Sequence, residues 1–377
     1  MSISIHQKIE EVGSENWALI RPKSNPFQEY DFLYTLESSK SVGKGTGWLP
    51  RYLSVEDGSR KGLLYYFEKT NSYGEYIFDW QWSEAYHRNG IPYYPKFTSM
   101  IPFTPATTPH FLMNEFDEDV ANSLLDHYED VYTQSKYSSS HFLFLPTEEI
   151  PIFRDRDYLI RESFQYHFFN DDYESFEQML SKFKTKKAKQ IRKERIFDED
   201  ICIECFTDAT LGPEHALQMY EFYKMTIQDK RAIDYLSKEF FVQIFDKMKS
   251  NVLFVQASKE GDPIAGALYF YDSERLYGRY WGAKQNVPNL HFELCYYRGI
   301  EFCLEKNLKV FEAGAQGEHK IARGFKPIKT YSAHKIRHPE FNEAIKRYIL
   351  EEKQSVDLTI EHLNSRLPFI IEKPSNT

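Results

Sequence analysis

Three short apolar-rich runs, Val252 to Ser258, Pro263 to Tyr271 and Leu276 to Gly282, follow one another with Glu260-Gly261-Asp262 and Asp272-Ser273 between them. Runs of this length bounded by turn-forming residues predict strands. Asp200 to Thr207 reads as a strand before them. From Pro213, Ala216, Tyr220, Tyr223 and Ile227 recur at helical spacing, and a second helix is expected over Ser237 to Lys249. Downstream, Phe292, Cys295, Tyr296, Gly299 and Cys303 mark one side of a helix from His291 to Lys306. Lys309 to Glu312 and Lys329 to Ile336 then predict strands, and Pro339 to Leu363 a long amphipathic helix. The first half is less regular. Its pattern predicts helices at His6 to Glu15, Phe27 to Glu37, Trp80 to Arg88, Asp117 to Ser135 and Ser175 to Phe183, with strands near Gly62 to Glu68, Glu75 to Phe78, His141 to Leu145 and Leu159 to Phe168.

Both halves are therefore mixed α/β (α+β), and 377 residues exceed what one core usually holds. Two domains are expected, 1–165 and 166–377. The 30 Phe, 27 Tyr and 5 Trp supply ample core material. No run approaches the length of a membrane span, and no basic start leads into an apolar stretch, so a cytoplasmic protein is expected. Four cysteines are too few for a disulfide framework, and Cys202-Ile-Glu-Cys205 lacks a second ligand pair for a zinc site. No metal is expected.

Charge changes this picture locally. The chain carries a formal −9, yet Lys182 to Arg195 holds eight Lys or Arg and one Glu. A basic segment on an acidic protein fits a local phosphate-bearing ligand, small or nucleotide-linked, or a tRNA backbone, and not wholesale DNA binding. Lys186, Lys187 and Arg192 are its candidate contacts; a solvated basic helix is the plainer alternative.

The densest candidate chemistry lies in Glu312-Ala-Gly-Ala-Gln316-Gly-Glu318-His319-Lys320-Ile-Ala-Arg323-Gly-Phe325. Three glycines, two carboxylates, an imidazole and two cations behind a short strand are poor core material. Glycines permit positive φ, and the carboxyl ends of strands in α/β sheets are where ligands bind. Glu318 and His319 are the favoured base candidates here, although both side chains could equally tie down the turn. Glu293, also a catalytic candidate, falls in the first turn of its helix, where an acid favours the positive end of the dipole.

The element order of the second half, β-α-α-β-β-β-α-β and then β, resembles the GNAT acyltransferase fold, in which two neighbouring central strands splay apart. Several strings add to this: Gly45-Thr-Gly-Trp48-Leu-Pro-Arg-Tyr52-Leu, Gly74-Glu75-Tyr-Ile-Phe-Asp79-Trp, Tyr93-Tyr-Pro-Lys96, Pro102-Phe-Thr-Pro105, Leu276-Tyr-Gly-Arg279-Tyr-Trp-Gly282 and Leu290-His291-Phe-Glu293. With the run at Glu312, they identify the chain as similar to the FemAB-like predicted N-acyltransferases, often described as peptidoglycan biosynthesis or recognition proteins. The resemblance spans Trp17 to Phe369 and implies tandem GNAT-like domains with mixed sheets flanked by helices.

It also implies transfer of an acyl or aminoacyl group, from acyl-CoA or aminoacyl-tRNA as co-substrate, to an amine, with no tightly bound cofactor. Arg279, Lys284, His291, Glu312, Gln316, Lys320, Arg323 and Tyr331 are the candidate donor or substrate contacts. Simple GNAT enzymes cradle the CoA pyrophosphate with Arg/Gln-x-x-Gly-x-Gly/Ala, whereas Gly282-Ala-Lys284-Gln-Asn-Val-Pro-Asn289 has one glycine. A bulkier donor remains open on that account. The competing classes are a recognition module for cell-wall or phosphate-bearing ligands and a metal-dependent hydrolase built on His291, Glu293, Glu312 and His319.

Overall fold

The computed structural model describes residues 2–21, 25–314 and 317–370. The chain forms two compact units, Met1–Ser163 with Tyr235–Phe240 and Lys329–Val356, and Phe164–Asp234 with Phe241–Ile328 and Asp357–Thr377. A single division at 165/166 leaves two returning segments outside the amino-terminal part.

In the first unit the strands lie in the spatial order Ser2–His6, Trp48–Asp57, Arg60–Lys69, Lys96–Ser99, Ser139–Leu145 and Lys326–Ile336, with Phe111–Leu112 paired off this path to Arg60–Lys69. Neighbours are antiparallel except Lys96–Ser99 and Ser139–Leu145, which run parallel over Phe97–Ser140, Thr98–His141 and Ser99–Phe142. A parallel pair needs a crossover, and helix Glu118–Ser135 provides it. Asp117 caps that helix by accepting from the Asp119 and Val120 amides. Val120, Leu124 and Tyr128, four residues apart, put one face into a core with Leu53, Leu64, Phe97 and Phe142.

The second unit repeats this plan. Its strands lie in the order Ile201–Thr207, Val252–Lys259, Asp262–Tyr271, Arg275–Ala283, Val310–Glu312 and Leu159–Phe169. Again the fourth and fifth alone are parallel, joined by helical residues 290–305, and the sixth is antiparallel to the fifth. The sixth strands are exchanged along the sequence: Leu159–Phe169 pairs with Val310–Glu312, while Lys326–Ile336 pairs with Ser139–Leu145. The core of this unit gathers Leu253, Val255, Ala265, Ala267, Leu294, Ile300 and Phe311.

The fold is thus the tandem GNAT-like α/β arrangement expected, and the second-half elements fall within a few residues of their predicted limits. The first half departs from expectation in four places. His6 to Glu15 is not one helix: Ser2–His6 is an edge strand, and Gly13, at φ 81°, separates Ile9–Val12 from Ser14–Ile20. Glu75 to Phe78 is a loop, turned by Gly74 and Tyr76 at φ 80° and 60°. Strands Trp48–Asp57 and Lys96–Ser99 were not foreseen.

Candidate functional site

In the second unit the two parallel strands stay together for three residue pairs, Arg275–Val310, Leu276–Phe311 and Tyr277–Glu312. Among the described residues, from Gly278 onward the longer strand pairs with its antiparallel partner alone, with a bulge at Arg279 between the Tyr269–Gly278 and Leu268–Tyr280 pairs. A split therefore opens at the carboxyl ends of both strands. The equivalent position in the first unit is bridged by its own chain: the Thr108 amide donates to Phe144 O at 3.3 Å, and His110 Nε2 lies 3.2 Å from Ser99 O.

The glycine-rich run follows directly on Val310–Glu312, the shorter of the two parallel strands. Gly314, Gly317 and Gly324 have φ of 81°, 116° and 90°, and residues Glu318–Arg323 form a 3₁₀ turn. His319 is exposed, and its Nε2 lies 2.8 Å from Tyr296 Oη. Burial, Arg323 and Lys320 hold its pKa below the ordinary histidine value. His291, whose ring centroid lies 6.1 Å from that of His319, is pushed down to about 4 by burial and by the charges of His319, Lys230, Lys320 and Arg323. Both imidazoles are neutral at pH 7.

Lys320 is 1% exposed; its Nζ donates to Gly314 O at 2.8 Å, and burial pushes it down to about 7. Arg323 lies with its guanidinium carbon 3.5 Å from the Phe292 ring centroid, donates to His319 O at 2.8 Å and pairs with buried Glu194 at 2.7 Å. Glu194 also accepts from Tyr297 Oη. These bonds fix the 3₁₀ turn to helix Thr185–Glu194 and to the helix that follows the split.

That second helix is irregular. Glu293–Tyr297 is a π-helical turn, and Tyr269 Oη donates to the Leu294 carbonyl. Glu293 is 2% exposed and held by two guanidiniums, Arg195 at 2.8 and 2.9 Å and Arg298 at 2.9 Å. Removing a buried partner of this kind strands charge in the interior. Glu293→Gln is expected to cost about 3 kcal/mol of stability, read by urea denaturation; an unchanged midpoint with lost turnover would instead mark a chemical role.

The other candidates are distributed as follows. Glu318 is exposed and pairs with Arg366 at 3.2 Å. Glu312 is buried, bonded to Arg275 at 2.8 Å, with His167 at 3.9 Å. Arg279 lies at the bulge, 5.3 Å from the Tyr280 ring. Lys284 approaches Glu221 at 3.5 Å. Tyr331 belongs to the first unit, where it pairs with Leu145. Lys186 is exposed on helix Thr185–Glu194, Lys187 half-buried, and Arg192 bonded to Glu177 at 2.6 Å. Gln316 lies outside the described residues. Among the described residues no group of three or more His, Cys, Asp or Glu is placed to hold a metal ion, and no helix is long and apolar enough to cross a membrane.

Glu194 and Arg195 are not among the residues the sequence singles out, because the run that holds them, Lys182 to Arg195, stands out by its charge. A signal was present: Ala188, Ile191 and Glu194 recur every third residue, which places the glutamate on the buried face.

The FemAB-like family, described as peptidoglycan biosynthesis/recognition, matches residues 8–371. The fold is similar to that of FemX, with a TM-score of 0.56 at 11% identity over 92% of this chain and 100% of that one. The C-terminal domain of a putative lysylphosphatidylglycerol synthetase from Agrobacterium fabrum aligns with a TM-score of 0.54 at 8% identity, over 91% and 95%. L-PGS from Bacillus licheniformis gives 0.50 at 10%, over 84% and 95%. No curated protein matches the sequence.

Proposed function

From the premise that this chain belongs to the FemAB-like family, we propose that it is an N-acyltransferase, moving an acyl or aminoacyl group from an activated donor to an amine on a peptidoglycan-precursor-like acceptor. The observation that carries this reading is the split between Arg275–Ala283 and Val310–Glu312, with His319 and Tyr296 beside the glycine-rich run that leaves it. A donor carbonyl seated there meets the acceptor amine within the second unit.

In the reaction the amine nitrogen attacks the carbonyl carbon, forming C–N as the C–S bond of a thioester or the C–O bond of an ester breaks. In the tautomer that carries its proton on Nε2, 2.8 Å from Tyr296 Oη, His319 presents the Nδ1 lone pair. It takes the proton of the attacking nitrogen and returns it to the leaving sulfur or oxygen. A neutral imidazole at pH 7 suits that task. No covalent enzyme intermediate is needed, and positioning supplies much of the acceleration.

Acyl-CoA and aminoacyl-tRNA are the two donors to be tested, with Lys186 and Lys187 facing the phosphate-bearing part of either. Both donors place the reaction in the cytoplasm. The test is a radiolabelled transfer assay with each donor class and an amine-bearing precursor peptide. His319→Gln is expected to lower kcat by roughly 10²–10³, and Glu318→Gln by less than about threefold, consistent with an exposed ion pair. Full kcat in His319→Gln removes that residue as base. Acceptor binding without transfer from any donor favours a recognition module.

A further inference from the structure

Lys320 is an ammonium in a dry place, and no counter-ion stands beside it among the described residues. Among the described residues its hydrogen bond goes to the Gly314 carbonyl, and it makes no ion pair. The aromatic rings of Tyr166 and Tyr296 lie 5.6 and 6.0 Å from Nζ. Cys295 is the one ionisable group whose charge would favour the ammonium, and burial pushes that thiol up, so it is uncharged. The four carboxylates around the site are committed elsewhere: Glu312 to Arg275, Glu293 to Arg195 and Arg298, Glu194 to Arg323 and Glu318 to Arg366. Among the described residues Arg323 Nε is a buried donor with no acceptor, and Glu312 Oε2 a buried acceptor with no donor. A buried cation left unpaired is costly, and such a site is completed when a ligand brings the missing negative charge.

Gly314, whose carbonyl holds Nζ, lies two residues beyond the last strand pair, where the two strands part. We propose that Lys320 anchors an anion subsite in this split, taking a carboxylate or phosphate oxygen of the substrate. The proposal rests on the reading of the split as the substrate site and adds the charge class of what enters it. The surroundings of the amine are the Gly314 carbonyl, Tyr166, Cys295 and Tyr296, with His167, His291, His319 and Arg323 as further charged or titratable groups near it. None of these supplies a negative charge at neutral pH.

The test is calorimetric titration of the full chain with two probes, inorganic pyrophosphate for the phosphate source and N-acetylglycine for the carboxylate source, at pH 6.5 and 8.5. One probe is expected to bind the parent at least about tenfold more tightly at the lower pH, because a bound anion requires the protonated amine. Lys320→Arg, which keeps the cation, retains binding; Lys320→Met, checked for cooperative unfolding, loses it. Absence of binding by both probes, or equal binding by the methionine variant, overturns the subsite. Anion binding without transfer to any amine sinks the acyl-transfer reading and leaves the subsite. Transfer retained at full rate by Lys320→Met sinks the subsite alone.

Discussion

Lys96→Met is expected to lower the unfolding free energy by about 3–5 kcal/mol, read as a fall in the urea midpoint at pH 7. Lys96 is fully buried in the first unit, where Nζ bonds Glu75 Oε2 at 2.8 Å, Ser72 Oγ at 2.9 Å and Asp79 Oδ2. Burial alone would push the amine down, but Asp79 and Glu75 hold it above the ordinary lysine value. Burial would likewise raise Asp79, and Lys96 with His141 holds it well below the usual carboxylate range.

A depressed carboxyl pKa contributes stability that is present above the unfolded-state value and is lost as pH falls through the folded one. Without the ammonium, Asp79 loses its cation and Glu75 is left with Lys69 at 3.9 Å, so the two carboxyls bind protons more readily folded than unfolded. The deficit of the variant should therefore shrink between pH 7 and pH 5. A deficit that stays constant over that range would mean the carboxylates are not the stranded partners.

Lys320→Met should act in the opposite direction, raising stability at pH 7 by about 2–3 kcal/mol after the loss of one hydrogen bond is counted. The two lysines are equally dry, but Lys320 has no carboxylate partner among the described residues. Its pKa is lowered to about 7, so between that value and the unfolded-state lysine value the native state binds fewer protons than the unfolded one. Native stability from this group therefore rises with pH across that window, and its cost is nearly complete at pH 7.

The methionine variant lacks the cost, so its advantage should close as pH approaches about 10.4. Lys69, also lowered to about 7 by burial and lying over the Trp48 ring at 3.4 Å, gives a slope of the same sign, so variant and parent are compared at each pH. A variant destabilised like Lys96→Met would reveal an undetected counter-ion and remove the ground for the anion subsite.

These two lysines also mark what could be read from the chain and what could not. The strands around Gly261 and Asp272 were legible because turn residues punctuate apolar runs, and the glycines at 314, 317 and 324 announced turning backbone, each of the three having positive φ. Strand Lys96–Ser99 was hidden because all four of its residues are buried, three of them polar, and Lys96 finds its partners in the separate stretch Ser72 to Asp79. Trp48–Asp57 was hidden by Pro50. At the site, the glycine-rich run was visible, but the sequestration of Glu293 by Arg195 joins residues 98 apart. Pairing over such separations leaves no local pattern. The duplication of the six-strand plan is likewise a matter of topology, with no residue repeat to betray it.

The exchanged sixth strands bear on how the chain leaves the ribosome. Ser139–Leu145 emerges early, yet the strand that satisfies its outer edge, Lys326–Ile336, is made much later. At about 5–20 residues per second, that edge waits roughly ten to forty seconds for its partner. During vectorial synthesis the nascent amino-terminal sheet is therefore open to mispairing, and this interval is where a trigger-type chaperone would be most needed.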